Sequence, residues 1–118
     1  MTRTVLNGPS IRTASPDNAV TQHVSTELTV SGVLRVLADG YGERPALAWR
    51  NSQDEEWQSI DYRKLFRRVN NTAAALRRAA DVKRGDMVAV LGFTSPDYAV
   101  VDYAITGPAD AVSVPLQT

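Results

Sequence analysis

Two short apolar runs with a helix pattern between them constrain the fold of this sequence more than any other feature. Met87–Leu91 and Ala111–Pro115 are apolar almost throughout, which is typical of parallel strands that are covered on both faces. Ser95 and Pro96 predict a helix start, because serine caps the first amides and proline fits the first helical position. Gly107-Pro108 predicts the helix end. We therefore expect a right-handed β-α-β unit with two parallel strands.

Two further helices are predicted upstream. Apolar residues at helical spacing indicate one helix over residues 31–41, which Thr29 or Ser31 can cap through a hydroxyl oxygen. Asp61 can cap a second helix, whose apolar stripe runs from Tyr62 to Leu76. Basic residues occupy the opposite side of that second helix. The stripe therefore predicts an amphipathic helix that packs on the core with one face.

A hairpin is predicted between these two helices. Ala46–Arg50 and Trp57–Ile60 are short extended runs, and a wholly polar segment joins them. We expect Trp49 and Trp57 to face each other across the two strands. The chain is thus predicted to be α/β, with a hairpin and helices followed by the β-α-β unit.

The first 27 residues differ in composition from the rest. They are rich in Thr, Ser and Asn and show no sustained period, so we expect a mobile N-terminal arm over residues 1–27. His23, the only histidine, lies in this arm and is expected to be solvated. Residues 28–118 are expected to form the folded domain.

Composition excludes several classes of function. Lys+Arg and Asp+Glu are both 13, so no net charge draws the chain to nucleic acid or to an anionic membrane. Cysteine is absent, which excludes disulfides, thiolate metal sites and a cysteine nucleophile. No apolar run approaches the roughly 18 residues of a membrane span, and no signal-peptide core is present. We expect a cytoplasmic protein without a membrane span.

Three groups of residues resemble functional sites, and each has a simpler structural interpretation. Gly92–Pro96 lies where a strand meets a helix, but it matches neither phosphate-binding glycine motif and is expected to be a turn with a cap. Asp97, Asp102 and Asp110 could suggest a carboxylate cluster, but Asp97 and Asp102 are five residues apart on a helix and are not expected to share one face. Eight basic residues follow Asp61 and are expected to form a solvated surface (63, 64, 67, 68, 77, 78, 83 and 84). The residues alone therefore predict no catalytic, cofactor-binding or metal-binding side chain.

Several motifs, taken in order, resemble those of adenylate-forming enzymes, the superfamily of acyl-CoA ligases and peptide-synthetase adenylation domains. Ser59–Leu65 resembles the first core motif, with Asp61 and Lys64 where the family usually has Thr and Glu. The other similar segments are Arg44–Leu47, Gly85–Val90 and Ala111–Leu116, the last of which resembles the second core motif.

Within that superfamily, Leu91–Asp102 is most similar to carboxylic acid reductases, which are also called fatty-acid-CoA ligases. Val112–Thr118 is similar to the same group. The junction Ile105–Ala111 departs from the Leu-Gly-Ala that is common in the family. The resemblance covers about residues 30–118, which implies that 28–118 is part of an AMP-binding (adenylation) domain, an incomplete piece of its N-terminal subdomain.

The resemblance implies a parent enzyme that activates a small carboxylic or fatty acid with ATP and Mg²⁺, giving an acyl-adenylate and pyrophosphate. A reductase parent would then pass the acyl group to a phosphopantetheine thiol and reduce it with NADPH. In the family, the phosphate-binding loop, the acyl pocket, the ribose-binding Asp and the catalytic Lys come later in the sequence. The resemblance therefore implies that this chain alone is inactive and binds no cofactor, and that its partner is the remainder of the adenylation domain.

Two other interpretations remain open. The chain can be a stand-alone α/β interaction module without catalysis, or it can contact nucleic acid through the basic face between Arg63 and Arg84, although we expect no nucleic-acid partner. The strand patterns favour an incomplete piece, because one crossover helix cannot cover both faces of two parallel strands. We therefore expect exposed apolar sheet surface in the isolated chain.

Overall fold

The computed structural model describes residues 15–116, which form a mixed α/β structure with two small sheets. The elements in chain order are α1 (Asn18–Thr26), α2 (Val30–Tyr41), β1 (Pro45–Trp49), β2 (Gln58–Asp61), α3 (Tyr62–Ala79), β3 (Met87–Leu91), α4 (Pro96–Thr106) and β4 (Val112–Leu116).

The predicted β-α-β unit is confirmed. β3 and β4 pair in parallel, with Met87 opposite Val112 and Leu91 opposite Leu116. β4 begins one residue later than expected, and the amide of Val112 donates to the carbonyl of Asp86 at 2.7 Å. Helix α4 connects the two strands.

The predicted helix starts are also confirmed. Thr29, Asp61 and Ser95 each precede a helix with extended backbone, and each side-chain oxygen accepts a hydrogen bond from the amide three residues later. These hydrogen bonds measure 2.7 to 3.1 Å. A single side chain at each start thus satisfies an amide that the helix itself leaves unpaired.

The hairpin forms, but its aromatic pairing differs from the prediction. β1 and β2 are antiparallel, and Trp49 lies opposite Gln58 rather than Trp57. Trp57 precedes the strand, and the guanidinium of Arg50 lies 5.0 Å from the centroid of its ring. The expected tryptophan pair is therefore replaced by a cation–π contact.

The described part of the expected arm contains a helix that the sequence analysis did not predict, since Asn18–Thr26 forms α1. Asp17 caps this helix by accepting hydrogen bonds from the amides of Ala19 and Val20 at 2.9 and 3.2 Å. Residues 1–14 of the expected arm lie outside the described residues.

Contacts with the end of α2 hold α1 in place. The amide of Asp17 donates to the hydroxyl of Tyr41 at 2.8 Å, and the guanidinium of Arg44 donates to the carbonyl of Ser15 at 2.6 Å. Val20 lies so close to Gly40 that a Cβ at position 40 would come within 2.4 Å of it. The glycine therefore permits this close helix packing.

The core lies between α2, α3 and α4. Helix α3 contributes Leu65, Val69 and Ala73, which follow one another at four-residue spacing as the apolar stripe predicts. The buried members of the cluster are Leu34, Leu65, Val69, Ala73, Val100, Ala104 and Ala109. Among residues 15–116, no helix is long and apolar enough to span a membrane.

We predict that Leu65→Ala lowers the free energy of unfolding by about 2–5 kcal/mol, because it leaves a cavity in this core. Leu28→Ala is the matched control, since Leu28 is 96% exposed and should change stability by less than about 0.5 kcal/mol. Urea unfolding followed by circular dichroism measures both values. Equal losses in the two variants would contradict the described core.

Candidate functional site

The first place to examine for function is the sheet edge where β3 and β4 end. Leu91 and Leu116 are paired at these carboxyl ends, and the connection from β3 to α4 begins there. In open α/β sheets, ligands bind outside the carboxyl ends of the strands.

The connection between β3 and α4 is a turn with a helix cap, as its sequence predicts. The hydroxyl of Ser95 accepts a hydrogen bond from the amide of Tyr98 at 3.1 Å, and Pro96 follows at the first helical position. A Cβ on Gly92 would contact only the ring of Tyr98, at 3.6 Å. A larger side chain than that of glycine could therefore begin at position 92 without a steric clash at its Cβ.

Two open clefts flank this turn. One has a volume of about 370 Å³ and lies between the end of β1, with Arg50 just after it, and the start of α4. The other has a volume of about 450 Å³ and lies between β3 and α4, where its wall is mainly apolar and Asp97 is its carboxylate. These mainly apolar walls suit an apolar group.

The structure gives the three acidic candidates separate positions. Asp97 lies in the first turn of α4, where its charge favours the helix. Asp102 accepts a hydrogen bond from the hydroxyl of Ser113 at 2.6 Å, which ties α4 to β4. Asp110 forms an exposed ion pair of 2.8 Å with Arg84. Among residues 15–116, no three His, Cys, Asp or Glu side chains lie close enough together to hold a metal ion.

His23 is exposed, as expected, but it lies on a helix rather than in an irregular arm. It lies in the last turn of α1 and lines a pocket of about 250 Å³ with Val20, Val36 and Asp39. Its position follows from the docking of α1 on α2, which the sequence analysis did not anticipate.

The eight basic candidates lie on α3 and on the segment that follows it. Arg77 donates to the carbonyl of Pro108 at 2.9 Å, and Lys83 pairs with Asp81 at 3.2 Å. Arg84 forms the ion pair with Asp110, and the remaining five belong to the exposed side of α3.

Among residues 15–116, four of the exposed large apolar side chains lie on one side of the β3–β4 sheet. We define the apolar sheet face as the three residue pairs that share this side, Met87 with Val112, Ala89 with Val114 and Leu91 with Leu116. Met87, Leu91, Val112 and Leu116 are 80%, 62%, 46% and 47% exposed. This exposure confirms the expectation of exposed apolar sheet surface in the isolated chain, since one crossover helix covers only one side of the two strands. The other side of β4 faces α4, through Ser113, and the described residues place no element over the apolar sheet face.

Two structural features were missed from the sequence. The docking of α1 has a local signal in hindsight, because Asp17 is a favourable helix cap. The bond between Asp102 and Ser113 has none, since it joins different elements across 11 residues.

Comparison with known proteins gives a consistent match. Residues 34–118 match the AMP-binding enzyme family. Carboxylic acid reductase of Mycobacterium tuberculosis is 37% identical over 120 residues, which cover 89% of this chain and 10% of the reductase. The chain thus spans about a tenth of the curated relatives it matches.

Solved structures agree with this match. The adenylation domain of the carboxylate reductase from Mycobacterium chelonae has a TM-score of 0.77 and 39% identity, covering 98% of this chain and 20% of that one. The A-PCP didomain of carboxylic acid reductase from Segniliparus rugosus, in complex with AMP, has a TM-score of 0.78 and 33% identity, covering 98% of this chain and 18% of that one.

We predict that Asp102 and Ser113 are energetically coupled. Their hydrogen bond is charge-assisted and half-buried, so a double-mutant cycle with Asp102→Ala and Ser113→Ala should give a coupling of about 1–2 kcal/mol. The pair Asp97→Ala with Ser113→Ala is the control and should be additive. Additive behaviour of Asp102 with Ser113 in urea unfolding would contradict the bond.

We also predict that the isolated chain self-associates through the apolar sheet face. Leu91→Lys with Leu116→Lys should weaken this association at least about tenfold, because burying each leucine contributes about 1.5–3 kcal/mol. Leu28→Lys is the control, since Leu28 is exposed but lies outside the sheets. Sedimentation velocity measures the association, and a sharp, reversible two-state melt of a monomer would disprove it.

Proposed function

Because the chain belongs to the AMP-binding enzyme family, we propose that it forms part of the adenylation domain of a carboxylic acid reductase. The observation that carries this proposal is the similarity to carboxylic acid reductases across nearly the whole chain, in sequence and in structure. In this proposal residues 28–118 are the partial adenylation domain, and α1 is docked against it.

The proposed parent activates a carboxylic acid with ATP. A carboxylate oxygen bonds to the α-phosphorus of ATP, and the bond from that phosphorus to pyrophosphate breaks, which yields an acyl-adenylate. In the parent, a phosphopantetheine thiol then takes the acyl group and releases AMP, and NADPH reduces the thioester to the aldehyde. The use of ATP and NADPH is compatible with a cytoplasmic location.

The residues of this chain do not by themselves fit a site for ATP and Mg²⁺. Lys64 and Lys83 are the two lysines of the sequence, and both are exposed on the surface. Stabilising the charge at an attacked phosphorus requires donors that are already positioned in a site shielded from water. The clefts beside the β3–α4 turn are open, and the described residues offer no metal-ligating cluster. We therefore propose that the chain is inactive when it is alone.

The chain's proposed role is to supply one edge of the domain's scaffold. It covers about a fifth of the solved adenylation-domain chain from Mycobacterium chelonae. The apolar sheet face is the surface on which the remainder of that domain is proposed to pack, because an apolar face of this kind is normally covered. The same face would serve a stand-alone interaction module, which remains the alternative.

A chimeric enzyme tests this proposal. We predict that the adenylation domain of the Mycobacterium chelonae reductase, with its corresponding fifth replaced by this chain, retains carboxylate-dependent exchange of pyrophosphate into ATP. Leu91→Asp with Leu116→Asp in the chimera should reduce the exchange at least about tenfold, because charge is then buried without a partner. Leu28→Asp is the control and should leave the exchange unchanged.

The isolated chain provides the second arm. We expect no saturable binding of ATP by isothermal titration calorimetry. Binding by the chain alone would contradict its proposed inactivity, whereas a folded but inactive chimera would contradict the proposed place in the domain. A different polypeptide that co-purifies in a fixed ratio would favour the stand-alone interaction module.

A further inference from the structure

The exposed side of α3 carries a row of cations, and we propose that this row docks an acidic α-helix of a protein partner. We define the basic stripe as Lys64, Arg67, Arg68 and Arg78, all of which are exposed on α3. The proposal concerns a surface separate from the apolar sheet face and does not depend on the proposed enzyme.

The charges in the N-terminal half of α3 oppose the local stability of the helix, whereas Arg77 and Arg78 in its last turn favour it. The helix has six basic residues and no acidic residue. Arg63 with Arg67, and Lys64 with Arg68, are like-charged neighbours at four-residue spacing, which is unfavourable. Arg63 and Lys64 also lie in the first turn, where the helix dipole disfavours positive charge. The stability of the helix therefore does not explain why these cations lie there. An anionic partner outside the chain would explain it.

Within residues 15–116, the acidic side chains do not neutralise the basic stripe. The ion pairs of this part of the chain involve Lys83 and Arg84, which lie beyond α3. Two other cations of the helix have contacts elsewhere, since Arg63 lies against Gly42 and Arg77 donates to the carbonyl of Pro108. Within the stripe, the Nε of Arg78 donates to the carbonyl of Ala74 at 3.4 Å. The basic stripe thus retains guanidinium and ammonium donors that face solvent.

The spacing of the stripe defines the partner's shape. Lys64, Arg67 and Arg68 form one cluster, and Arg78 lies ten residues beyond Arg68, which is about 15 Å along a helix. Between them the helix presents Asn71, Ala74 and Ala75 among its small or short side chains. A partner helix can approach closely over these residues and place two groups of carboxylates about 15 Å apart. Arginine favours such carboxylates because its planar fork binds them bidentately.

Other anionic partners fit the stripe less well. Single-stranded nucleic acid requires aromatic platforms, but Phe66 packs against the core and Tyr62 lies beside Tyr41. Membrane surfaces require large apolar side chains beside the cations, and the exposed positions of α3 are polar or alanine. A neutral chain also lacks the overall positive field that duplex-binding domains use. The remaining class is an acidic protein helix.

The test uses the full chain, immobilised at low density on a biosensor so that self-association does not interfere. The probe is a synthetic helical peptide with two pairs of glutamates about ten residues apart and alanines between them. A peptide of the same composition, with its glutamates placed on opposite sides of the helix, is the comparison. A short duplex RNA and vesicles of equal parts phosphatidylcholine and phosphatidylserine are the competing probes.

We expect salt-dependent binding of the spaced peptide that Arg67→Glu with Arg68→Glu weakens at least about tenfold. Arg35→Glu with Arg84→Glu makes the same change in net charge away from α3 and should weaken binding less than about twofold. Arg67→Ala with Arg68→Ala keeps a strong helix former at both positions. It should weaken binding of the spaced peptide less than Arg67→Glu with Arg68→Glu but more than the control pair.

Three results would overturn the proposal. Equal weakening by the control pair would mean that only net charge matters. Equal binding of the two peptides would mean that the spacing of the glutamates does not affect binding. Tighter binding of the RNA or the vesicles would assign the stripe to a different class of partner.

Discussion

The apolar stripe of α3 holds the described structure together. Leu65, Val69 and Ala73 are buried where α3 meets α2 on one side and α4 on the other, and the hairpin strands also contact this helix. Since dispersion and burial add over many small contacts, the helix with the most extensive packing, α3, largely determines the relative positions of its neighbours. The positions of β3 and β4 depend on α3 indirectly, because α4 packs on α3 and bonds to β4 through Asp102 and Ser113.

This arrangement covers the β3–β4 sheet on one side only. Parallel sheets are normally covered on both faces. Successive side chains of a strand point to opposite faces, so a continuous apolar run places apolar side chains on both. The sequence of β3 is therefore typical of a strand in a larger protein than residues 15–116 form. The match to adenylation domains that are about five times as long gives the same answer independently.

The sequence predicts best the elements whose local signals agree with their packing. Asp61 and Ser95 cap helices, and the period of α3 selects its buried side correctly. Helix α1 was missed because it buries no residue of its own fully, and its position depends on Gly40 and Tyr41, more than a dozen residues away. The position of Trp57 was missed because strand register depends on pairing with β1, which propensity does not contain.

The candidate site was less predictable than the fold. Charge and spacing could indicate that the acidic residues lie apart, but not that Asp102 bonds to Ser113 across two elements. The apolar runs could indicate sheet strands, but not which side would remain open, because that depends on which helix crosses over. Both features depend on how elements that are distant in the sequence pack together, and the local sequence contains little information about that packing.

The open sheet face has a consequence for synthesis on the ribosome. In the proposed parent, this segment emerges first, and β3 and β4 can pair as soon as β4 has left the exit tunnel. At about 5–20 residues per second, the rest of a domain five times as long follows over tens of seconds. During that interval Met87, Leu91 and Leu116 face water on a nascent chain. Chaperones that act during translation would therefore meet this face before the enzyme exists.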